Sequence, residues 1–546
     1  MKENIEKEND EVEKLDKEIN KNELEDRKDK LKGFLTNKNL QTYLIIALIV
    51  FAIILRLFYF NVDQAVWWDS ADYLAGAKVI GQDLELNHYE FNPRRPFFLS
   101  AFWGFLYLIG GGETFLRISM LLFSIAGVWL TYLLGKEIYN KNVGLLAGFA
   151  MAVSWLHLFH TARLLSDLPA LAIWLSVAYF SYKGIMNKDK KSMIFAGISL
   201  GFLLFIRGSS LIYFFPLLVL VLGKDNWKFF KNKYLWLALL IALVIMSPFW
   251  IWLSMNYDNP FQKFTGIGGD EVRFVGSMDF GKLWSNLDMF SSVVFSPKFL
   301  AIMSGLFLSA KILGLLVFFL VLFLSLDVFL GFDLLIKGKS KGLVKKIFLL
   351  TWMFTPYVFF SLAGSGIEPR YVFPMFPALF IILGKGIMDL KLKFKKYKYV
   401  WLGLLIVLLI VFGTFQLGHA SALTKAKKDS YRPVKEGGVW LYEHTDENDI
   451  IVSQSHYQNM YYSERDTFDF HGENGKLTEE EFNLKVKELR PKYMVVSVFE
   501  PAFTPEWVYS YGERNKDKVV PVMGYNDGSG NPLLLIFEFI GEYKSE

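Results

Sequence analysis

The sequence contains no cysteine. That excludes disulfides, thiolate metal sites and a cysteine nucleophile. Histidine is scarce, with 7 among 546 residues, and His88, His157 and His160 show no metal-ligand spacing. Charge is rare within the apolar stretches: Asp, Glu, Lys and Arg make up 21% of the chain and gather in blocks between them. The formal charge of +5 therefore implies no nucleic-acid partner, because the lysines sit in short loops between apolar runs. No repeat of fixed period is evident. The first forty residues lack the apolar core of a cleavable signal, so the run from Leu44 to Phe60 is expected to act as targeting signal and anchor together.

What is abundant is apolar. Hydrophobic residues reach 53% and aromatics 17%, which is membrane composition. Runs near 41–60, 117–135, 143–160, 167–183, 191–207, 210–223, 234–253, 311–335, 347–363, 371–388 and 399–418 predict an α-helical polytopic membrane protein of about eleven transmembrane helices. The run 97–110 is short and follows Arg94-Arg95-Pro96, and is read as interfacial or re-entrant. Residues 1–40 alternate Lys with acids, and Ile5, Val12 and Ile19 recur every seven residues. They read as a solvated helix or disordered tail, with a short coiled coil as the alternative.

The tail differs in kind. Val439–His444 reads as the end of an amphipathic helix, Asp449–Ser453 as a buried strand, Glu479–Leu489 as a helix, and Tyr493–Val498 and Pro532–Phe539 as strands. A small α/β domain is expected there. The domain division is thus a charged cytoplasmic tail over 1–40, a membrane domain over 41–420, and an extracytoplasmic domain over 421–546.

Loop charge sets the expected orientation. Lysine-rich loops at 136–141, 183–191, 224–233, 337–346 and 391–398 alternate with loops carrying single arginines, Arg163, Arg207 and Arg370. The positive-inside rule places the lysine loops and the N-terminus in the cytoplasm. A multi-pass cell-membrane protein results, with the C-terminal domain and every unusual charged residue on the outer side.

Asp69 and Asp72, in Trp67-Trp68-Asp69-Ser70-Ala71-Asp72, follow directly on the first span. At i and i+3 on a helix they share one face. Acids beside a bilayer are costly unless they face water, a cavity or a ligand. A helix cap is the plainer account of Asp69, and a general base the functional one. Ser166 or Asp167 can cap the next helix, with Pro169 in its first turn. Arg163 lies near hydrocarbon without local need, and guanidinium suits phosphate. Arg370, in Glu368-Pro369-Arg370-Tyr371, either snorkels or holds an anion. Pro374 and Pro377 then break a span, which usually lines a cavity. Gly266-Ile267-Gly268-Gly269 reads as a turn. Trp67-Trp68-Asp69 matches the WWD signature of oligosaccharyltransferases, but that signature belongs to a soluble domain after the last span, so the match is read as chance.

Three segments together resemble the GT-C superfamily of polytopic glycosyltransferases, near the group of protein O-mannosyltransferases, aminoarabinose transferases and RgtA/B/C/D-like proteins. They are Trp68-Asp69-Ser-Ala-Asp72-Tyr73, Arg163-Leu-Leu-Ser-Asp167-Leu-Pro169, and Glu368-Pro-Arg370-Tyr371-Val-Phe-Pro374. The resemblance covers about residues 41–420, and the tail is similar to the soluble cap of many members. It implies a polyprenyl (dolichyl)-phosphate sugar donor and transfer on the outer face to a protein, glycan or lipid hydroxyl, with inversion. Asp69 maps onto the catalytic aspartate; the Glu that often follows it is here Ser70, which leaves its role vacant or with Asp72. On this reading Asp69 and Asp72 are catalytic, Arg163, Arg370 and Arg207 bind the donor phosphate, and Asp167, Glu368 and Tyr371 support them. No cofactor is assigned, and a divalent metal remains an open alternative. The alternatives in other classes are a lipid or glycan transporter or flippase, which favours inverted repeats and midplane breaks, and a non-catalytic membrane assembly protein.

Overall fold

The computed structural model describes residues 38–60, 63–265, 280–306, 308–332, 340–363, 368–393, 395–472 and 475–543. The charged heptad-like stretch before residue 38 and the glycine cluster at 266–269 lie outside them.

All eleven apolar runs form helices, but not all are long enough to cross a bilayer. Among the described residues, 8 helices have the length and composition of a span, from Leu40–Phe58 to Lys398–Ala426. A ninth is possible where Gly281–Phe295 and Pro297–Gly305 meet at 110°. The sequence predicts no span between residues 253 and 311; Ser296 at φ 68° and Pro297 at the first turn break an otherwise apolar helix there. The runs near 143–160 and 311–335 instead give shorter helices, Lys141–Val153 and Ala310–Leu324. The first ends because Ser154 leaves helical geometry before a separate turn, Trp155–Phe159.

The run 97–110 is the 11-residue helix Phe98–Leu108, below the roughly 17 residues a span needs. It packs on Trp68–Gln82 through a glycine pair. A Cβ on Gly81 would sit 2.1 Å from the Gly104 carbonyl oxygen, so only glycine permits this approach.

The last spanning helix continues through residue 420 to Ala426. After it come helix Arg432–His444 and a five-stranded sheet. Its strands are β1 Ile451–Ser453, β2 Thr467–Phe468, β5 Tyr493–Ser497, β6 Val519–Asn526 and β7 Pro532–Phe539, in the order β2-β1-β5-β7-β6. β3 His471–Gly472 and β4 Gly475–Lys476 form a separate hairpin. β2, β1 and β5 run parallel; β7 and β6 are antiparallel, with Tyr493 opposite Glu538. β1 and β5 are buried throughout and therefore read as continuous apolar runs. Helix Glu479–Leu489 starts at a capping box in which Thr478 and Glu481 satisfy each other's backbone.

The helix His456–Ser463, which sequence reading missed, joins this sheet to the membrane helices. Gln458 Nε2 donates to the Val66 carbonyl at 2.9 Å, the Val66 amide donates to Tyr462 Oη at 2.8 Å, and Tyr461 Oη donates to Glu113 Oε2 at 2.8 Å. Lys78 Nζ reaches Glu464 Oε1 at 2.5 Å and the Tyr461 carbonyl at 2.8 Å. Its pattern is weak because both faces are occupied, one by the sheet and one by the segment that follows the first span.

Candidate active site

Trp67 is extended and helix Trp68–Gln82 begins one residue later, which places Asp69 in the first turn and Asp72 on the next. Asp72 is buried and Asp69 half-buried. Neither acts as a side-chain cap: the residue at the cap position, Trp67, makes no such bond. Both acids turn toward arginine. Arg95 straddles them, with Nη2 2.6 Å from Asp69 Oδ1 and Nη1 2.7 Å from Asp72 Oδ2. Tyr89 Oη donates to the Asp72 carbonyl at 3.1 Å.

Arg370 reaches the other oxygen of Asp69, with Nη2 2.8 Å from Oδ2. Its Nε lies 2.7 Å from Glu368 Oε2 as an ion pair, though the N–H is not aligned as a hydrogen bond. Asp167 opens its helix behind Ser166, whose side chain makes no capping bond, and pairs with Arg207. Tyr371 presents its ring to both cations, at 5.9 Å from Arg207 and 5.4 Å from Arg370. Four stretches that are remote in sequence, 69–95, Asp167, Arg207 and 368–370, thus bring together three arginines and four carboxyls, with Asp167, Arg207 and Arg370 lining one pocket.

The local breaks in the helices make this possible. Arg207 ends helix Lys190–Ile206, and a 3-10 turn over Gly208–Tyr213 follows. Arg370 stands in the short helix Pro369–Val372, followed by a 3-10 turn at Phe373–Met375 before the span resumes at Phe376. The expected break at Pro374 is present, and Pro374 lines the small polar pocket holding Asp167, Arg207, Arg370 and Tyr371. Ser209 belongs both to that pocket and to a much larger apolar groove of about 1130 Å³. Leu211, Phe215, Leu350, Phe354 and Val358 form the walls of this groove, and Arg94 stands at it.

The charges are felt at the acids. Burial alone would push the Asp69 carboxyl up, but Arg95 and Arg370 outweigh it and hold it below the usual range. At Asp72 burial wins over Arg95 and raises the carboxyl. Two carboxyls on one helix face therefore differ, Asp69 ionised and accessible, Asp72 enclosed and reluctant to ionise.

Arg163 does not join the cluster. Its guanidinium lies 3.6 Å from the Trp67 ring centroid and 3.9 Å from that of Phe159, and its Nε has no hydrogen-bond partner among the described residues. Aromatic stacking accounts for a buried arginine there. His157 accepts at Nδ1 from buried Arg56 at 2.7 Å, and His88 pairs with Asp466 at 2.6 Å. Among the described residues no three His, Asp or Glu side chains converge as a metal site, and each carboxyl of the cluster is met by a guanidinium.

Arg95 is the site residue that sequence reading missed. The signal was present: two acids on one helix face close to hydrocarbon require a cation, and Arg94-Arg95-Pro96 was at hand. Trp68, to which the sequence assigns no role, presents its ring to His456 at 5.1 Å, Tyr457 at 5.9 Å and Phe503 at 6.3 Å, joining the C-terminal region to the turn that carries Asp69.

Fold and site geometry together define the class. This is a multi-pass membrane protein with the fold of the GT-C glycosyltransferases. Residues 93–252 match the family model described as dolichyl-phosphate-mannose-protein mannosyltransferase, a segment that includes Arg95, Arg163, Asp167 and Arg207. Among solved structures, the chain is similar to ArnT from Cupriavidus metallidurans bound to undecaprenyl phosphate, with a TM-score of 0.62 at 13% identity over 92% of this chain and 99% of that one. It is also similar to the oligosaccharyltransferase AglB from Archaeoglobus fulgidus in complex with an inhibitory peptide and a dolichol-phosphate, with a TM-score of 0.55 at 13% identity over 91% and 74%. No curated protein matches the sequence.

Proposed function

We propose that this protein is an integral-membrane glycosyltransferase that moves a sugar from a polyprenyl-phosphate carrier to an acceptor hydroxyl on the outer face, with inversion and with Asp69 as general base. The observation that carries the reading is the placement of Arg370: it touches Asp69 and lines a polar pocket that shares Ser209 with the long apolar groove. A prenyl chain suits the groove, and its phosphate suits the arginines. ArnT with undecaprenyl phosphate and AglB with dolichol-phosphate support a carrier of this chemistry.

The chemistry balances within the cluster. The acceptor oxygen attacks the anomeric carbon as the bond to the carrier phosphate breaks, and Asp69 takes the hydroxyl proton. The phosphate changes from a singly charged diester to a more negative monoester as Asp69 becomes neutral. Arg370, released from Asp69, is then available to the departing phosphate, with Arg207 beside it across Tyr371. One arginine shared by base and leaving group couples proton removal to bond cleavage. The leaving phosphate needs no general acid, unlike the paired-carboxylate mechanism of glycoside hydrolysis.

Two experiments test this. Arg370→Lys keeps the charge and loses the planar fork. It should weaken binding of dolichyl phosphate by about tenfold, the order of one charged hydrogen bond, as should Arg370→Ala. Arg163→Ala should leave that affinity near wild type, because its guanidinium is engaged by Trp67 and Phe159. Unchanged carrier affinity in both Arg370 variants would remove the phosphate role. Second, protease added to intact cells should cleave within 431–546 and spare residues 1–40. A protected C-terminal region would reject chemistry on the outer face.

A further inference from the structure

Tyr431 stands between the last spanning helix and helix Arg432–His444 with φ 60°, a left-handed conformation uncommon for a residue with a side chain. Its ring packs on Phe499 at 5.1 Å, and its hydroxyl is close enough to Glu500 and Asp69 for both carboxyls, after burial, to push it up. The left-handed backbone thus brings one hydroxyl within the field of both a carboxyl of the C-terminal region and the proposed base.

Glu500 is buried, and its Oε2 accepts from Ser455 Oγ at 3.2 Å. Ser455 also accepts at its carbonyl from Asn459 Nδ2 at 3.1 Å. Around this serine, four buried acceptor oxygens find no donor among the described residues: Glu500 Oε1, Asn459 Oδ1, Gln454 Oε1 and Gln458 Oε1. Buried acceptors are rarely left unpaired, so such a concentration calls for something rich in donors. Beside it, the chain turns from Glu500 to Phe503, whose amide donates to the Glu500 carbonyl at 3.1 Å. Phe503 is 55% exposed and stacks on Trp68, the neighbour of Asp69. An exposed ring next to a buried carboxyl with an unpaired acceptor oxygen is the pattern of a polyol site, with the apolar ring face against the aromatic and a hydroxyl toward the oxygen.

We propose that Glu500, Tyr431, Asn459 and Phe503 form a saccharide subsite, which takes the hydroxyl or ammonium donors of a sugar ring beside Asp69. This rests on the transferase reading above and names the part of the protein that recognises the sugar. The ring comes either from the carrier-linked donor or from a glycan acceptor. In both cases it sits under the C-terminal region, so sugar selection belongs to that region and carrier selection to the membrane helices.

The test uses the full-length protein in lipid nanodiscs. Dolichyl phosphate serves as the sugarless probe, and a panel of dolichyl-phosphate hexoses and amino sugars as the donor probes. Glu500→Gln, Tyr431→Phe and Phe503→Ala should bind dolichyl phosphate like wild type. Binding of the preferred sugar-bearing carrier should fall by about tenfold or more if the donor's sugar occupies the subsite, the order expected when a charged acceptor is lost. If an acceptor occupies it, that affinity stays unchanged and KM for acceptors in a membrane extract rises by a similar factor. Wild-type values for both in all three variants would mean the oxygens hold water only and would overturn the proposal, as would equal loss of sugarless and sugar-bearing carrier. A wild-type protein that transfers from none of the carriers would overturn the transferase reading itself, a result separate from variants that merely match an active wild type.

Discussion

Asp69→Asn should bind the carrier-linked donor and fail to turn it over. Loss of a general base costs on the order of 10²–10⁴ in rate. The substitution keeps the shape and one acceptor oxygen; its NH2 cannot accept, so of Arg95 and Arg370, which lie 2.6 Å and 2.8 Å from the two carboxylate oxygens, one loses its partner while both cations remain for the carrier phosphate. The defect should therefore fall on kcat, with dolichyl-phosphate affinity preserved. In the free protein the two guanidinium groups hold the carboxyl below its usual range, against the pull of burial, so the base is ionised throughout neutral pH. Asp72→Asn is the internal comparison. Asp72 is enclosed and meets Arg95 rather than the polar pocket, so its loss should be milder. Near wild-type transfer by Asp69→Asn alongside a dead Asp72→Asn would assign the base to Asp72. Full activity in both would leave Asp167 as the next acid or return the protein to a non-enzymatic role.

Arg95→Ala should be the most destabilising single change in the cluster. It leaves Asp72, with a side chain only 4% exposed, without its cation. Breaking a buried pair by removing one partner costs about 3–5 kcal/mol; Arg95 itself is 28% exposed, which places the expectation near the lower end. The sign with pH follows from Asp72. Burial already raises its carboxyl, and without Arg95 it rises further. A carboxyl raised in the folded state contributes stability at low pH that is lost as pH increases through its folded value. Thermal unfolding of Arg95→Ala should thus fall away from wild type as pH is raised from about 4, where an exposed Asp titrates, to about 8. Arg95→Ala combined with Asp72→Asn should recover most of the loss, because the unpaired charge is gone. A double variant as unstable as Arg95→Ala alone would show that Arg95 acts by packing.

These outcomes separate what could be read along the chain from what could not. Each apolar run is a helix, because a segment in lipid must satisfy its own backbone, and composition alone enforces that. The strands at Ile451 and Tyr493 were equally legible, since both faces of a parallel strand are buried and the sequence there is uninterruptedly apolar. The acids Asp69 and Asp72 were legible as anomalies, because charge beside hydrocarbon needs a reason. Helix length was less so. Lys141–Val153 stops where Ser154 leaves helical geometry, a change that leaves no mark on hydropathy.

Partnership was decided only by the tertiary structure. Arg95 and Asp69 are 26 residues apart, and Arg370 reaches the same carboxyl from the far end of the membrane domain. Nothing local in either arginine distinguishes it from Arg163, which the sequence ranks with them and the fold places between Trp67 and Phe159. A guanidinium is long enough to satisfy itself on an aromatic face or a carboxyl, and which one it finds depends on how the helices pack. The sequence determines by composition that this chain spans a membrane and by residue type that it holds acids and cations near its boundary. Packing determines which acid meets which cation, because an ion pair depends on separation in space and Coulomb's law takes no account of position along the chain.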